Sequence, residues 1–151
     1  EVANMAPIKE WFGLYNVIYK WFEKNYGCEA LEEYWRYIAN TCFNNVIDKF
    51  KNEGLPGIKD YYEKTFKQDD GECITNLSNG KLTIEVVKCP DYDFLKSSPN
   101  PNFVPIPNYC KHHEVINQIL AEKSGCTFRM AECDNNGKCK WVFEKKKEDF
   151  Q

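Results

Sequence analysis

Residues 73–88 have the sequence CITNLSNGKLTIEVVK, and this stretch determines the class of fold. Apolar and polar side chains alternate on both sides of Asn79-Gly80, and Asn-Gly between two alternating runs is a strong β-hairpin signal. We therefore predict strands at 73–77 and 81–88. One face of the second strand is expected to point into the core, and it carries Leu82, Ile84 and Val86.

The C-terminal half contains a second hairpin, which follows a helix. Apolar residues at helical spacing predict a helix over 110–124, with Gly125 after its end. Residues 126–133 and 139–144 alternate again and predict two strands joined by a polar turn. Residues 97–108 contain four prolines, so we expect an irregular crossover between the first hairpin and the helix.

The N-terminal seventy residues are rich in aromatic side chains at three- and four-residue spacing, which predicts amphipathic helices. We predict that the first helix ends near Gly27, that a second spans 29–52 and ends at Gly54, and that a third begins at Pro56. The periodicity changes from helical to alternating after residues 68–71. The predicted fold class is α+β, with N-terminal helices plus an antiparallel sheet of two hairpins with a helix between them.

Length and charge exclude several classes of protein. A chain of 151 residues suits one domain, which we divide into a helical part (1–70) and a hairpin-helix-hairpin part (71–151). No run of about 18 apolar residues is present, so we expect no membrane span. The net charge of −3 and the lack of a basic stripe argue against nucleic-acid binding. The mixed charges of residues 145–149 predict a solvated tail.

Eight cysteines are more than an ordinary cytosolic protein of this length contains. Free thiols, a metal site and one or more disulfides all remain open. Asn76-Leu77-Ser78 is a glycosylation sequon, which favours secretion, whereas no signal peptide is visible. We expect a cytoplasmic protein, with a secreted, disulfide-bonded ligand-binding protein as the alternative.

The two histidines of the chain follow a cysteine in Tyr109-Cys110-Lys111-His112-His113. Cys110 and His113 are three residues apart, so on a helix they would share a face. Free backbone amides at a helix start favour a thiolate. We therefore predict Cys110 and His113 as catalytic residues, although a buried cysteine beside solvated histidines is the simpler alternative.

Soft metal ligands occur at the ends of several predicted elements. Cys89, Cys110, Cys133 and Cys139, with His113, are the donor types that zinc or an iron–sulfur cluster uses. The spacing matches no standard metal motif, and Cys133 and Cys139 are equally well placed to be cross-strand neighbours. A zinc or iron–sulfur protein built on these residues is therefore the alternative function.

Aromatic side chains on the predicted helices can form either ordinary core or the wall of a ligand pocket. The acidic residues Asp69, Asp70 and Glu72 favour a solvated turn. The aromatic set comprises Trp11, Tyr15, Tyr19, Trp35, Tyr61, Tyr62 and Phe66.

Several short motifs together resemble a known family. Lys88-Cys89-Pro90, then residues 109–113, then Glu132-Cys133, then residues 137–143 occur in the order found in 4-vinyl reductase-type small-molecule-binding domains. Gly54-Leu55-Pro56 and Tyr61-Tyr62 in the helical part are similar to the L-2-amino-thiazoline-4-carboxylic acid hydrolase-like proteins of bacteria. The resemblance covers most of residues 28–144.

This resemblance implies an α+β domain, often a homodimer, that holds a small-molecule ligand near Cys89, Cys110, Cys133 and Cys139. The hydrolase-like relatives would open a sulfur-containing cyclic amidine by adding water. Cys110 would then act as the nucleophile or hold a metal ion that activates water, and His113 would be a base or a ligand. The leading expectation is a small-molecule-binding protein with such a hydrolase activity.

Overall fold

A computed structural model describes residues 8–146 and confirms the α+β class. Residues 147–149 of the predicted tail lie outside this range. In chain order, the elements are α1 (Glu10–Thr41), α2 (Asn44–Gln68), β1 (Glu72–Ser78), β2 (Lys81–Lys88), α3 (Pro90–Ser97), a 3₁₀ turn (Pro101–Phe103), α4 (Lys111–Lys123), β3 (Cys126–Cys133) and β4 (Cys139–Lys145).

Both long helices are kinked at the predicted glycines. Gly27 (φ 86°) interrupts α1, and Gly54 (φ 63°) interrupts α2, because only glycine adopts these backbone angles without strain. The prediction of one helix over 29–52 is wrong, since α1 ends at Thr41 and α2 begins at Asn44. Phe43 has non-helical backbone angles (φ −108°, ψ 22°) and packs against the core. The sequence gives no signal of this break, because no glycine or proline is present there.

The four strands form one antiparallel sheet in the order β1-β2-β4-β3. This topology confirms both hairpins, and β2 and β3 have the predicted bounds. The sheet face toward the helices carries Leu82, Ile84 and Val86 on β2, as predicted. These residues pair in register with Phe143, Trp141 and Cys139 of β4, which therefore lie on the same buried face.

Helix α3 was not predicted, because eight residues are too few to show a helical period. Pro90 occupies the first turn of α3, where the backbone N–H has no partner within the helix and proline can lack it without loss. The carboxylates of Asp91 and Asp93 are stabilised by the positive end of the helix dipole. Asp91 and Leu95 are its buried residues. The helix thus carries a carboxylate into the interior, directly after Cys89.

Two apolar clusters form the core. One lies between α2, α4 and the sheet, and includes Phe50, Tyr62 and Trp141. The other lies between α1, α3 and α4, and includes Tyr19 and Trp35. Within residues 8–146, no helix has the length and apolar character that crossing a membrane requires.

Candidate functional site

A pocket of about 440 Å³ lies among α1, α2, α4 and β4, with most of its wall formed by apolar and aromatic side chains. Five of the seven aromatic residues in the predicted set line it, whereas Trp11 and Trp35 do not. Trp11 is exposed at the surface, and Trp35 is buried beside a different cavity. The five that line the pocket are Tyr15, Tyr19, Tyr61, Tyr62 and Phe66.

Asp91 is the buried carboxylate of this pocket, and three groups donate hydrogen bonds to it. Its Oδ1 accepts from the Cys89 thiol at 2.6 Å and from the Tyr92 backbone N–H at 2.8 Å. Its Oδ2 accepts from the Tyr109 hydroxyl at 3.2 Å. These contacts satisfy a charge that would otherwise be costly to bury.

Both histidines also face Asp91. The Nε2 atoms of His112 and His113 lie 3.4 Å and 3.5 Å from Asp91 Oδ2. His112 Nδ1 lies 2.5 Å from the Tyr109 backbone oxygen, which fixes the orientation of its ring. The first turn of α4 and the first turn of α3 thus place two imidazoles and one carboxylate at the same point.

Burial and neighbouring charges determine which of Asp91, His113 and Cys89 carry a proton near pH 7. Burial opposes the ionisation of Asp91, but the two imidazoles and the Cys89 thiol outweigh it and hold the pKa of Asp91 below its usual value. Burial lowers the pKa of His113 to about 3, so its ring is neutral near pH 7. Burial and the nearby Asp91 charge raise the pKa of Cys89 well above that of a free thiol, so Cys89 remains a protonated donor.

A second cluster consists of three thiols and lies outside the aromatic pocket. The Sγ atoms of Cys110, Cys133 and Cys139 lie within 4.8 Å of one another. Cys133 and Cys139 are partners in the β3–β4 register, as predicted, with their Sγ atoms 2.8 Å apart. Cys110 lies just before α4 and, with Cys133, lines a separate cavity of about 370 Å³.

One of these thiols is acidic. A hydrogen bond from the Cys139 thiol lowers the pKa of Cys110 to about 6 against the opposing effect of burial, and the Gly137 backbone N–H lowers it further. The same contact with Cys110 raises the pKa of Cys139 far above its usual value. Cys110 is the most acidic thiol of the cluster, and the main cause is the Cys139 thiol rather than the helix start on which the prediction rested.

The structure divides the five predicted metal ligands between two groups. Cys110, Cys133 and Cys139 form one, whereas donor atoms of Cys89 and His113 lie within 4.8 Å of each other and of Asp91. Either group offers donors that can hold a metal ion. All eight cysteines lie within the described residues and carry free thiols.

The predicted sharing of one face by Cys110 and His113 is wrong. Cys110 lies at the N-cap position, where its side chain turns toward the β3–β4 hairpin, while His113 lies inside the helix and lines the aromatic pocket. The two residues therefore reach different cavities, although three positions separate them.

Four further residues of the site were not identified in the sequence: Asp91, Tyr109, Asn117 and Trp141 line the pocket. Asp91 follows Cys-Pro at a position typical of the first turn of a helix, and this was the available signal. The sequence contains no signal for Asn117 or Trp141, because an amide in a helix and an aromatic residue in a strand are both common without any functional role.

Together, the fold and the site define an α+β protein with an apolar pocket, a buried Asp-His group and a cluster of three thiols of the donor type that metal ions use. No protein-family model matches the chain, and none of the curated proteins matches it.

Proposed function

We propose that this chain is a small-molecule-binding protein that uses the aromatic pocket, and that it hydrolyses a sulfur-containing cyclic amidine there. The observation that carries the proposal is the contact of His113 with Asp91 inside an apolar pocket of small-molecule size, about 440 Å³. The His113 ring is neutral near pH 7 and so can accept a proton. Burial lowers the pKa of His113, whereas the Asp91 charge raises it and would stabilise the imidazolium that forms.

The composition of the pocket favours a flat, positively charged ligand. Tyr15, Tyr19 and Tyr61 are aromatic residues of the lining, a residue type whose ring face attracts cations, and Asp69 and Asp91 are its acidic residues. Among the described residues, no lysine or arginine lines the pocket. An amidinium group fits this distribution, because it is planar, cationic and rich in N–H donors.

The reaction consumes one water and needs no oxidant or reductant. His113 takes a proton from water as the water oxygen adds to the amidine carbon. The proton then passes to the ring nitrogen as the bond between that nitrogen and the amidine carbon breaks. As the carbonyl group forms, the proton of the added hydroxyl group passes through His113 to the released amine. Asp91 holds the imidazole in place, so it is a positioning residue. Cys110 has no part in this step, because it lines the other cavity.

Binding and ring opening of 2-aminothiazoline test this proposal. Calorimetry should detect binding to the wild type, and NMR should detect the opened ring. Tyr61→Ala should weaken binding, whereas the matched control Tyr37→Ala, in an exposed tyrosine, should leave it unchanged. His113→Gln should bind the probe but lose ring opening. Absence of binding to the wild type, or full ring opening by His113→Gln, would contradict the proposal.

We also propose, as a second candidate function, that Cys110, Cys133 and Cys139 bind zinc. Three mutually adjacent thiols, one with a pKa of about 6, supply most of a tetrahedral thiolate site. Three protein thiolates fit zinc, with its fourth position open, better than an iron–sulfur cluster, which generally takes four ligands.

Cobalt(II) is a suitable probe for the thiol cluster, since cobalt thiolates absorb strongly. Wild type should give the thiolate absorption, and Cys133→Ser should lose it. Cys126→Ser is the matched control, because Cys126 is buried but lies outside the cluster. Equal absorption by Cys133→Ser and wild type would exclude the cluster as the binding site.

We also propose the bacterial cytoplasm as the compartment, because a zinc site of three thiolates needs cysteines that stay reduced. Homodimer formation is part of the same proposal, supported by exposed Trp11, Leu14 and Trp21 on α1. Light scattering at several protein concentrations measures the assembly, and a monomeric mass throughout would contradict the dimer.

A further inference from the structure

Two buried N–H donors of the pocket lack hydrogen-bond partners among the described residues. They are Asn117 Nδ2 and Trp141 Nε1, and their side chains belong to residues that are only 3% and 2% exposed. Both residues line the aromatic pocket. A buried donor without a partner costs free energy, so two such donors in one pocket indicate a place for an acceptor.

The contacts of Tyr62 show that the two donors belong to one region of the pocket. The Tyr62 hydroxyl donates to Asn117 Oδ1, which occupies the amide oxygen and leaves the amide nitrogen free. The Tyr62 ring also packs against Trp141, with ring centroids 5.3 Å apart. Tyr62 thus connects α4 to β4 and contacts both of the residues that carry the donors.

This region adjoins the proposed catalytic group. The rings of His113 and Trp141 have centroids 5.4 Å apart, and His113 contacts Asp91. A small ligand in this pocket can therefore contact His113 with one end and the region of Asn117 and Trp141 with the other. The pocket is acidic at Asp91 and offers neutral N–H donors near Trp141.

We propose that Asn117 Nδ2 and Trp141 Nε1 form an acceptor subsite that binds a neutral carbonyl oxygen of the ligand. The inference rests on the proposed function and adds the class of substrate, which is a cyclic amidine that carries a carboxamide-type group. A carboxylate is disfavoured, because no lysine or arginine of the described chain lines the pocket and Asp69 and Asp91 already supply negative charge.

Three probes with the same amidine ring test this subsite: 2-aminothiazoline, its 4-carboxamide and its 4-carboxylate. Calorimetry should give the carboxamide an affinity for the wild type about tenfold higher than that of the parent ring, since it pairs both donors. The carboxylate should bind more weakly than the carboxamide.

Two variants remove one donor each. Trp141→Phe deletes the indole N–H, and Asn117→Asp replaces the amide nitrogen with oxygen while keeping an acceptor for the Tyr62 hydroxyl. In each variant the ratio of the carboxamide affinity to the parent-ring affinity should fall to about one, whatever the change in the affinity for the parent ring itself. Trp35→Phe is the matched control, because Trp35 is a buried tryptophan that does not line this pocket, and it should keep the preference.

Different results separate the two proposals. If the wild type binds the parent ring and the carboxamide equally, or if the preference persists in both donor variants, the acceptor subsite is wrong while the proposed pocket function stands. A carboxylate that binds more tightly than the carboxamide overturns the neutral acceptor. If the wild type binds none of the three probes, both proposals fail. Circular dichroism identifies a variant that does not fold, and the other variant then decides.

Discussion

Neighbouring residues at the start of α4 belong to two different side-chain clusters. Cys110 lies beside two thiols of the β3–β4 hairpin and belongs to the thiol cluster. His112 and His113 contact Asp91 of α3 and belong to the pocket. The first cluster contains a single kind of soft donor. The second combines a carboxylate, imidazoles and a protonated thiol inside an aromatic wall. The start of α4 therefore contributes side chains to two separate sites, the thiol cluster and the aromatic pocket.

The largest expected effect comes from removing the buried charge of Asp91. Asp91→Asn replaces an acceptor oxygen with an N–H donor among the donors of Cys89, Tyr92 and Tyr109, so the free energy of unfolding should fall by about 2–3 kcal/mol. Urea denaturation measures this loss. If the clusters are separate, the folded variant should still give the cobalt absorption of the thiol cluster. A variant as stable as wild type would contradict the role given to Asp91.

The converse change breaks the thiol cluster and spares the pocket. Cys139→Ser removes the thiol that contacts both Cys110 and Cys133, so the affinity for zinc should fall by at least about 100-fold. Competition with a chromophoric chelator measures that affinity. Binding of 2-aminothiazoline should not change. Loss of amidine binding in this variant would show that the clusters act as one site.

The smallest expected effect falls on Gly137, the residue that contacts both clusters. Its backbone N–H donates to Cys110, and an added Cβ would lie 3.1 Å from Tyr92 and 3.2 Å from Cys89. Gly137 also has a φ of 86°, so Gly137→Ala should cost about 1–2 kcal/mol of stability. It should weaken zinc binding modestly as well. Thermal unfolding with and without zinc measures both effects, and Gly80→Ala, in the open β1–β2 turn, is the control with similar strain and no nearby cluster.

Local patterns were sufficient to predict the α+β class and the hairpins. Alternation and Asn-Gly specify β1 and β2, and the glycines specify both helix kinks, because these signals are contained in a few neighbouring residues. The break between α1 and α2 was missed, since residues 42–43 contain no glycine or proline and the packing of Phe43 against the core is a tertiary contact.

The candidate site was predicted only in part, for a physical reason. Cys89, Cys110, Cys133, Cys139 and His113 do lie in clusters, but the sequence offered no way to divide them. The division depends on the direction of each side chain, which is set by tertiary contacts with the hairpin and with α3. Asp91 was missed because its burial follows from the packing of a helix too short to predict.

The separation of the two clusters is the central claim, and NMR of the imidazole nitrogens tests it most directly. The chain has two histidines, so the spectrum contains few signals. An equimolar amount of cadmium should bind the thiols of Cys110, Cys133 and Cys139 and leave the ring nitrogens of His113 unchanged. Addition of 2-aminothiazoline should then shift the His113 signals. Direct coupling of cadmium to a His113 nitrogen would contradict the account, because it would place that imidazole and the thiols in one metal site.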